Sequence, residues 1–267
     1  MAVQLERARA QLEDWRADPE AAFHNTRRRL KRIRAAARAG RAVDAKSARR
    51  INAAARDAAQ ALSDARDADV IEAKARELAE LCADEEVAAT FNKFSRFIAR
   101  RAGGEEERAA QVAAANEAFD RVETAIAKFA KQKSAESALK RAAQSALTRA
   151  DLAFLDAHVG WSEGETPSDE ARHDWRKRVK DQWYIGRLLS EVWPLERSAN
   201  NELADAAGKL LGAERDLLLL SDALKRNAKA CGGVPARDAA LAFIETQRAP
   251  IIDEAEAIGR KLHKDAK

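Results

Sequence analysis

Apolar residues recur every three to four positions through nearly the whole chain, the spacing that lays one stripe along an α-helix. No stretch alternates convincingly with period two, so the pattern predicts an all-α protein without a sheet. Helices are expected near 3–17, 20–39, 45–62, 65–83, 85–101, 105–131, 135–158, 168–192, 196–212, 215–230 and 236–264. Breaks are expected at Gly103-Gly104, at 160–168, at Pro194 and at 232–235, where Gly and Pro interrupt the period. Asp18-Pro19-Glu20 and Pro167-Ser168-Asp169-Glu170 have the make-up of helix starts. Each offers a side chain to cap free backbone N–H groups, and acids for the positive end of the helix dipole.

Composition sharpens this picture. With only 5 Pro and 11 Gly there is little material for turns, which argues for long helices and few loops. Alanine is abundant and aromatics are 5 %, so the helices are expected to be slim and closely packed. Basic residues number 48 and acidic residues 44, a small excess, so placement of charge matters more than its sum. Cys82 and Cys231 are too few for a disulfide framework and lack zinc-ligand spacing; a reduced, cytoplasmic chain is expected. The first fifteen residues carry charges throughout, so no signal peptide is expected, and no apolar run approaches a membrane span.

The chain also matches itself. An offset of 149 residues carries His24 onto His173, Arg27 onto Arg176, Arg28 onto Lys177, Arg29 onto Arg178, Lys31 onto Lys180 and Arg38 onto Arg187. Further along, Leu62 falls on Leu211, Arg66-Asp67 on Arg215-Asp216 and Cys82 on Cys231. Histidine is rare here, with 4 in all, so a histidine match followed by a run of basic matches is not expected by chance. This predicts two related helical bundles in pseudo-twofold relation, about 1–131 and 135–267, within one domain.

The repeated segment is where chemistry concentrates. Between Ala21 and Val43 the chain has eight Arg or Lys and no acid; the second copy, HDWRKRVKDQWYIGR, has two acids among its bases. On a helix, His24, Arg27, Arg28, Lys31, Arg34 and Arg38 share one broad face, with Phe23, Leu30, Ile33 and Ala37 opposite or flanking. In the second copy His173, Arg176, Lys177, Lys180, Tyr184 and Arg187 share a face, while Trp175, Val179 and Gly186 turn away. Like charges three and four apart repel by a few tenths of a kcal/mol per pair. A charged run is ordinarily a solvated face, but two acid-poor copies suggest that an extended anion supplies the compensation. Trp175 and Trp183 are expected in the core. Arg66-Asp67 and Arg215-Asp216 are expected to fix helix packing.

At these residues the chain resembles the CHAD family, through H-x-x-R-[KR]-[KR]-x-K in both halves and the later LSDARDADV and LLGAERDLLLL segments. The resemblance spans roughly 3–265. It implies two four-helix bundles around a basic central cavity, and binding of inorganic polyphosphate in association with polyphosphate granules. Carried over by position, the implied contacts are His24, Arg27, Arg28, Lys31 and Arg34, with His173, Arg176, Lys177 and Lys180; the shared basic faces add Arg38 and Arg187 to the expected site. Some relatives carry a fused triphosphate-tunnel enzyme domain, for which this chain has no room.

The expected function is therefore non-enzymatic binding of polyphosphate, with no cofactor, no metal and no membrane partner, in the cytoplasm and on granules, where granule proteins are candidate partners. The nearest rival is a binder of nucleic-acid phosphates. Against it stand the lack of a zinc finger, a helix-turn-helix signature, an RNP motif or interleaved aromatics. A phosphate-metabolising enzyme ranks behind both. The sequence has no P-loop, no HExxH and no Gly-x-Ser-x-Gly, and the basic segments hold only Asp174 and Asp181 as carboxylates.

Overall fold

The computed structural model describes residues 1–101, 103–132, 136–162, 168–192 and 201–265. Among these there are helices and turns and no strand. The helices are α1 (Ala2–Glu13), α2 (Pro19–Ala39), α3 (Ala45–Ala61), α4 (Ser63–Leu81), α5 (Glu85–Arg101), α6 (Glu105–Ala130), α7 (Glu136–Ser162), α8 (Asp169–Val192), α9 (Asn201–Arg226), α10 (Ala228–Cys231) and α11 (Val234–Asp265), with a 3₁₀ turn at Gly40–Ala42.

Both expected helix starts hold. Asp18 caps α2 by accepting from the Ala21 amide at 3.0 Å, with Pro19 in the first turn where its missing N–H costs nothing. Ser168 Oγ accepts from the Ala171 amide at 3.2 Å and opens α8. The expected break near 212–215 does not occur, because α9 runs unbroken through Gly212. A lone glycine costs a helix about 1 kcal/mol, and buried Leu211, Leu217, Leu218 and Leu220 on either side outweigh it. The chain turns instead at Gly232 and Gly233, both at positive φ (105° and 119°), where side-chain-bearing residues are strained. α7 extends to Ser162, past the expected end at 158. Residues 163–167 of the expected break, and Pro194, lie outside the described residues.

The helices form two compact units, and neither is one half of the chain. Unit 1 combines Met1–Asp64 with Glu105–Asp205; unit 2 combines Ala65–Gly104 with Ala206–Lys267. In unit 1, α2 packs against α1, α3, α7 and α8, α3 packs on α6, and α7 packs on α8. Phe23, Leu30 and Ile33 of α2 are fully buried, and Trp175 of α8 stacks on Phe154 of α7 at 5.8 Å between centroids. A seam of Ala35, Ala39, Ala143, Ala146 and Ala150 meets Tyr184 and Ile185, so small side chains let α2, α7 and α8 approach closely. Unit 2 has its own core, with Phe91 and Phe94 of α5, Leu78 of α4, Leu220 and Leu224 of α9 and Ile244 of α11.

Compact units made of consecutive halves are thus not what forms. Periodicity tells which face of a helix is apolar but not which helix covers it. Here the alanine seam joins α2 from the first half to α8 from the second.

Candidate anion-binding site

Each basic helix buries the stripe expected of it. Phe23, Leu30, Ile33 and Ala37 of α2 are buried, as are Trp175, Val179 and Gly186 of α8. Burying these stripes in the same unit leaves the cationic sides of α2 and α8 bordering one cleft of about 420 Å³. From α2 come Lys31, Arg34 and Arg38; from α8 come Arg176, Lys177, Arg178 and Lys180. Tyr184 and two carboxylates, Asp174 and Asp181, complete the lining. Seven cations therefore face two anions.

Both carboxylates are engaged with the cleft's own bases. Asp181 Oδ1 accepts from Arg38 Nη2 at 2.6 Å and ties α8 to α2; the two side chains are 34 % and 24 % exposed. Asp174 lies 3.9 Å from Lys177 Nζ and 3.6 Å from Arg178 Nε, one turn along its own helix. Arg34 Nε donates to Asn52 Oδ1 of α3 at 3.2 Å. Arg38 Nε is enclosed and, among the described residues, has no hydrogen-bond acceptor.

The crowding of charge is visible in ionisation. Burial pushes the pKa of Arg34 below the ordinary arginine value; neighbouring Arg38 pushes the same way and Asp181 opposes both. Arg38 is lowered by burial first, and Asp181 offsets part of this, against Arg41. Burial pushes the Tyr184 phenol up, while Arg28, Arg32, Arg176 and Arg187 pull it down. Arg34 and Arg38 are thus disfavoured both by desolvation and by like-charge repulsion, and a bound anion would relieve the repulsion.

Of the eleven expected contact residues, Lys31, Arg34, Arg38, Arg176, Lys177 and Lys180 line the cleft. Arg27 is turned elsewhere: its Nη1 donates to the Ala59 carbonyl and, at 2.6 Å, to Ser63 Oγ, where it satisfies backbone at the end of α3. His24 and Arg28 are exposed and His173 is half-buried; none of the three borders the cleft. Arg187 lies with Arg32 and Tyr184 around a separate small hollow, its guanidinium 5.4 Å from the Trp183 ring centre. Lys180 Nζ sits 5.7 Å from the same ring. The two tryptophans expected in the core therefore differ. Trp175 is fully buried, whereas Trp183 is half-buried and carries two cations.

The unanticipated member is Arg178. It fell outside the cationic arc of the isolated helix, although its match to Arg29 across the 149-residue offset was a signal. Of the residue pairs expected to be structural, the Arg66 side chain lies outside the described residues; Arg215 and Asp216 are half-buried on α9. Among the described residues no helix is long and apolar enough to cross a membrane.

Comparison with curated proteins and with solved structures gives no match. Comparison with family models does: the CHAD domain model matches residues 1–225. With that match running over most of the chain, including both basic helices and the cleft they border, the protein belongs to the CHAD domain family.

Proposed function

We propose that this protein binds inorganic polyphosphate in the α2–α8 cleft and does not turn it over. One observation carries the reading: seven cations from two helices line one cleft against two carboxylates, both already paired with those cations. Polyphosphate is a flexible chain with about one negative charge per phosphate. It can follow such a cleft and accept charge-assisted hydrogen bonds from Arg and Lys along its length. Binding without turnover is supported by the carboxylates' engagement.

The cleft is proposed to be built from two copies of one ancestral segment. The 149-residue offset carries Glu85, the first residue of α5, onto Val234, the first residue of α11, and Pro19 of α2 onto Ser168, the cap of α8. On this reading the copies exchange helices, so that both basic helices fall in unit 1. A cytoplasmic site of action on polyphosphate granules is the accompanying proposal.

Titration of long-chain polyphosphate, pyrophosphate and duplex DNA at matched salt tests the function. The polymer should bind far more tightly than pyrophosphate, and its log affinity should fall linearly with log salt as counterions are released. Equal affinity per site for pyrophosphate, or preference for the duplex, would overturn the proposal. So would release of phosphate above a boiled control, abolished by Lys31→Ala and Lys180→Ala.

A further inference from the structure

A second cleft, of about 510 Å³, opens on unit 1 where the end of α2 and the 3₁₀ turn meet α7 and α8. Arg38, Arg178 and Asp181 line both clefts, so the two adjoin at the Arg38–Asp181 bridge. The second cleft adds Arg41 from the 3₁₀ turn and Arg149 from α7. Four guanidinium groups thus face a single carboxylate, the one that already bonds Arg38. Much of the remaining lining is small: Ala42, Ala146, Ala150 and Ala153. Small side chains keep the hollow open to a ligand backbone. Arg41 and Arg149 are exposed, and among the described residues neither has a carboxylate partner; Arg149 donates to Ser145 Oγ at 2.6 Å.

An exposed arginine on a helix is ordinarily solvated and nothing more. What sets this place apart is convergence. Guanidinium groups from the 3₁₀ turn, from α7 and from α8 border one hollow, and that hollow begins where the first cleft ends. Arg38, whose Nε has no acceptor among the described residues, stands at the junction.

We infer that Arg41, Arg149 and Arg178 form a second phosphate subsite, through which a condensed phosphate chain continues after passing Arg38. The inference rests on the proposed binding of polyphosphate and adds a consequence for chain length. A short oligophosphate is satisfied by the first cleft; only a longer chain reaches the second.

The test compares the wild type with Arg41→Gln/Arg149→Gln, using tripolyphosphate and long-chain polyphosphate as probes. A control variant, Arg49→Gln/Arg141→Gln, removes two exposed charges that line neither cleft. The cleft variant should lose at least tenfold in affinity for the long chain, as expected when charge-assisted hydrogen bonds are removed, and less than twofold for tripolyphosphate. Its salt slope for the long chain should fall by about 1.4 units, at roughly 0.7 for each of two contacts on a single-stranded polyanion. Three results would each refute the subsite: unchanged long-chain affinity, equal losses for both probes, or an equal loss in the control variant. A wild type that binds neither probe defeats the polyphosphate reading itself, and the subsite with it. The cleft variant's helical circular dichroism and Tm should match the wild type, since both residues are exposed.

Discussion

Removing the Asp181 charge should weaken the fold and strengthen ligand binding at the same time. Asp181→Asn keeps the size of the side chain and deletes the one carboxylate that faces both clefts. Its partner Arg38 is 24 % exposed, between a surface pair, worth about 0–1 kcal/mol, and a buried one, where breaking the pair costs about 3–5 kcal/mol. A loss of about 1–2 kcal/mol follows, or a fall in Tm of about 2–8 °C for a unit of this size. Binding should move the other way. A carboxylate about 7 Å from a bound phosphate repels it by ~0.6 kcal/mol in water and ~2 kcal/mol at the effective dielectric near a protein surface. The variant should therefore bind long-chain polyphosphate about 3- to 30-fold more tightly at low salt, an advantage that shrinks as salt screens the charge. Isothermal titration at two salt concentrations, with thermal melts of the free protein, reads both effects. Weaker binding by a folded Asp181→Asn would refute the reasoning, because it would mean that Asp181 positions Arg38 for the ligand rather than competing with it.

Arg176→Ala/Lys177→Ala/Lys180→Ala should lower long-chain affinity at least 100-fold at low salt and flatten the salt slope by about two units, with helicity retained on circular dichroism. Arg27→Ala should instead cost about 1–3 kcal/mol of stability in a denaturant melt, because Ser63 Oγ loses its charged donor and the Ala59 carbonyl keeps only the Ser63 hydroxyl, at 3.1 Å, with only a small loss of binding. In unit 2, Glu214 and Arg248 form a buried ion pair at 2.8 Å with side chains 4 % and 7 % exposed. Arg248 also holds the exposed Glu245 at 2.7 Å, so Glu214→Leu alone should cost about 1–3 kcal/mol rather than the full penalty of an unpaired buried charge, and Glu214→Leu/Arg248→Met should recover most of it, as a double-mutant cycle would show. Asp44 caps α3, and hydrogen bonds, from the Ser47 side chain first and then the backbone, hold its pKa below 3.8 in the folded protein. Its contribution is present above about pH 3.8 and fades as pH falls through the lower folded value. The gap in stability between wild type and Asp44→Ala should hold from neutral pH down to that point and narrow below it; a gap that widens in acid would contradict the assignment.

Helix positions were legible because burial demands a period, and α2, α3, α5 and α8 begin and end within a residue or two of where the pattern places them. The expected division between helices 196–212 and 215–230 does not form, because the leucines on either side of Gly212 hold α9 continuous. Six of the cleft's seven cations were legible for the same reason: Lys31, Arg34, Arg38, Arg176, Lys177 and Lys180 follow from two helical faces. Arg27 was not, since its long side chain reaches back to α3, and a helical wheel records where a side chain starts rather than where it ends. Arg41, Arg149 and Arg178 converge only because α7 packs beside α8 through an alanine seam, a pairing that periodicity does not encode.

Determining the structure of the protein with long-chain polyphosphate bound tests the central claim most directly. The account predicts connected phosphate density in the α2–α8 cleft, with oxygens in hydrogen-bond reach of Arg38, Arg176 and Lys180. Density confined to another surface, with that cleft empty at saturating ligand, would contradict it.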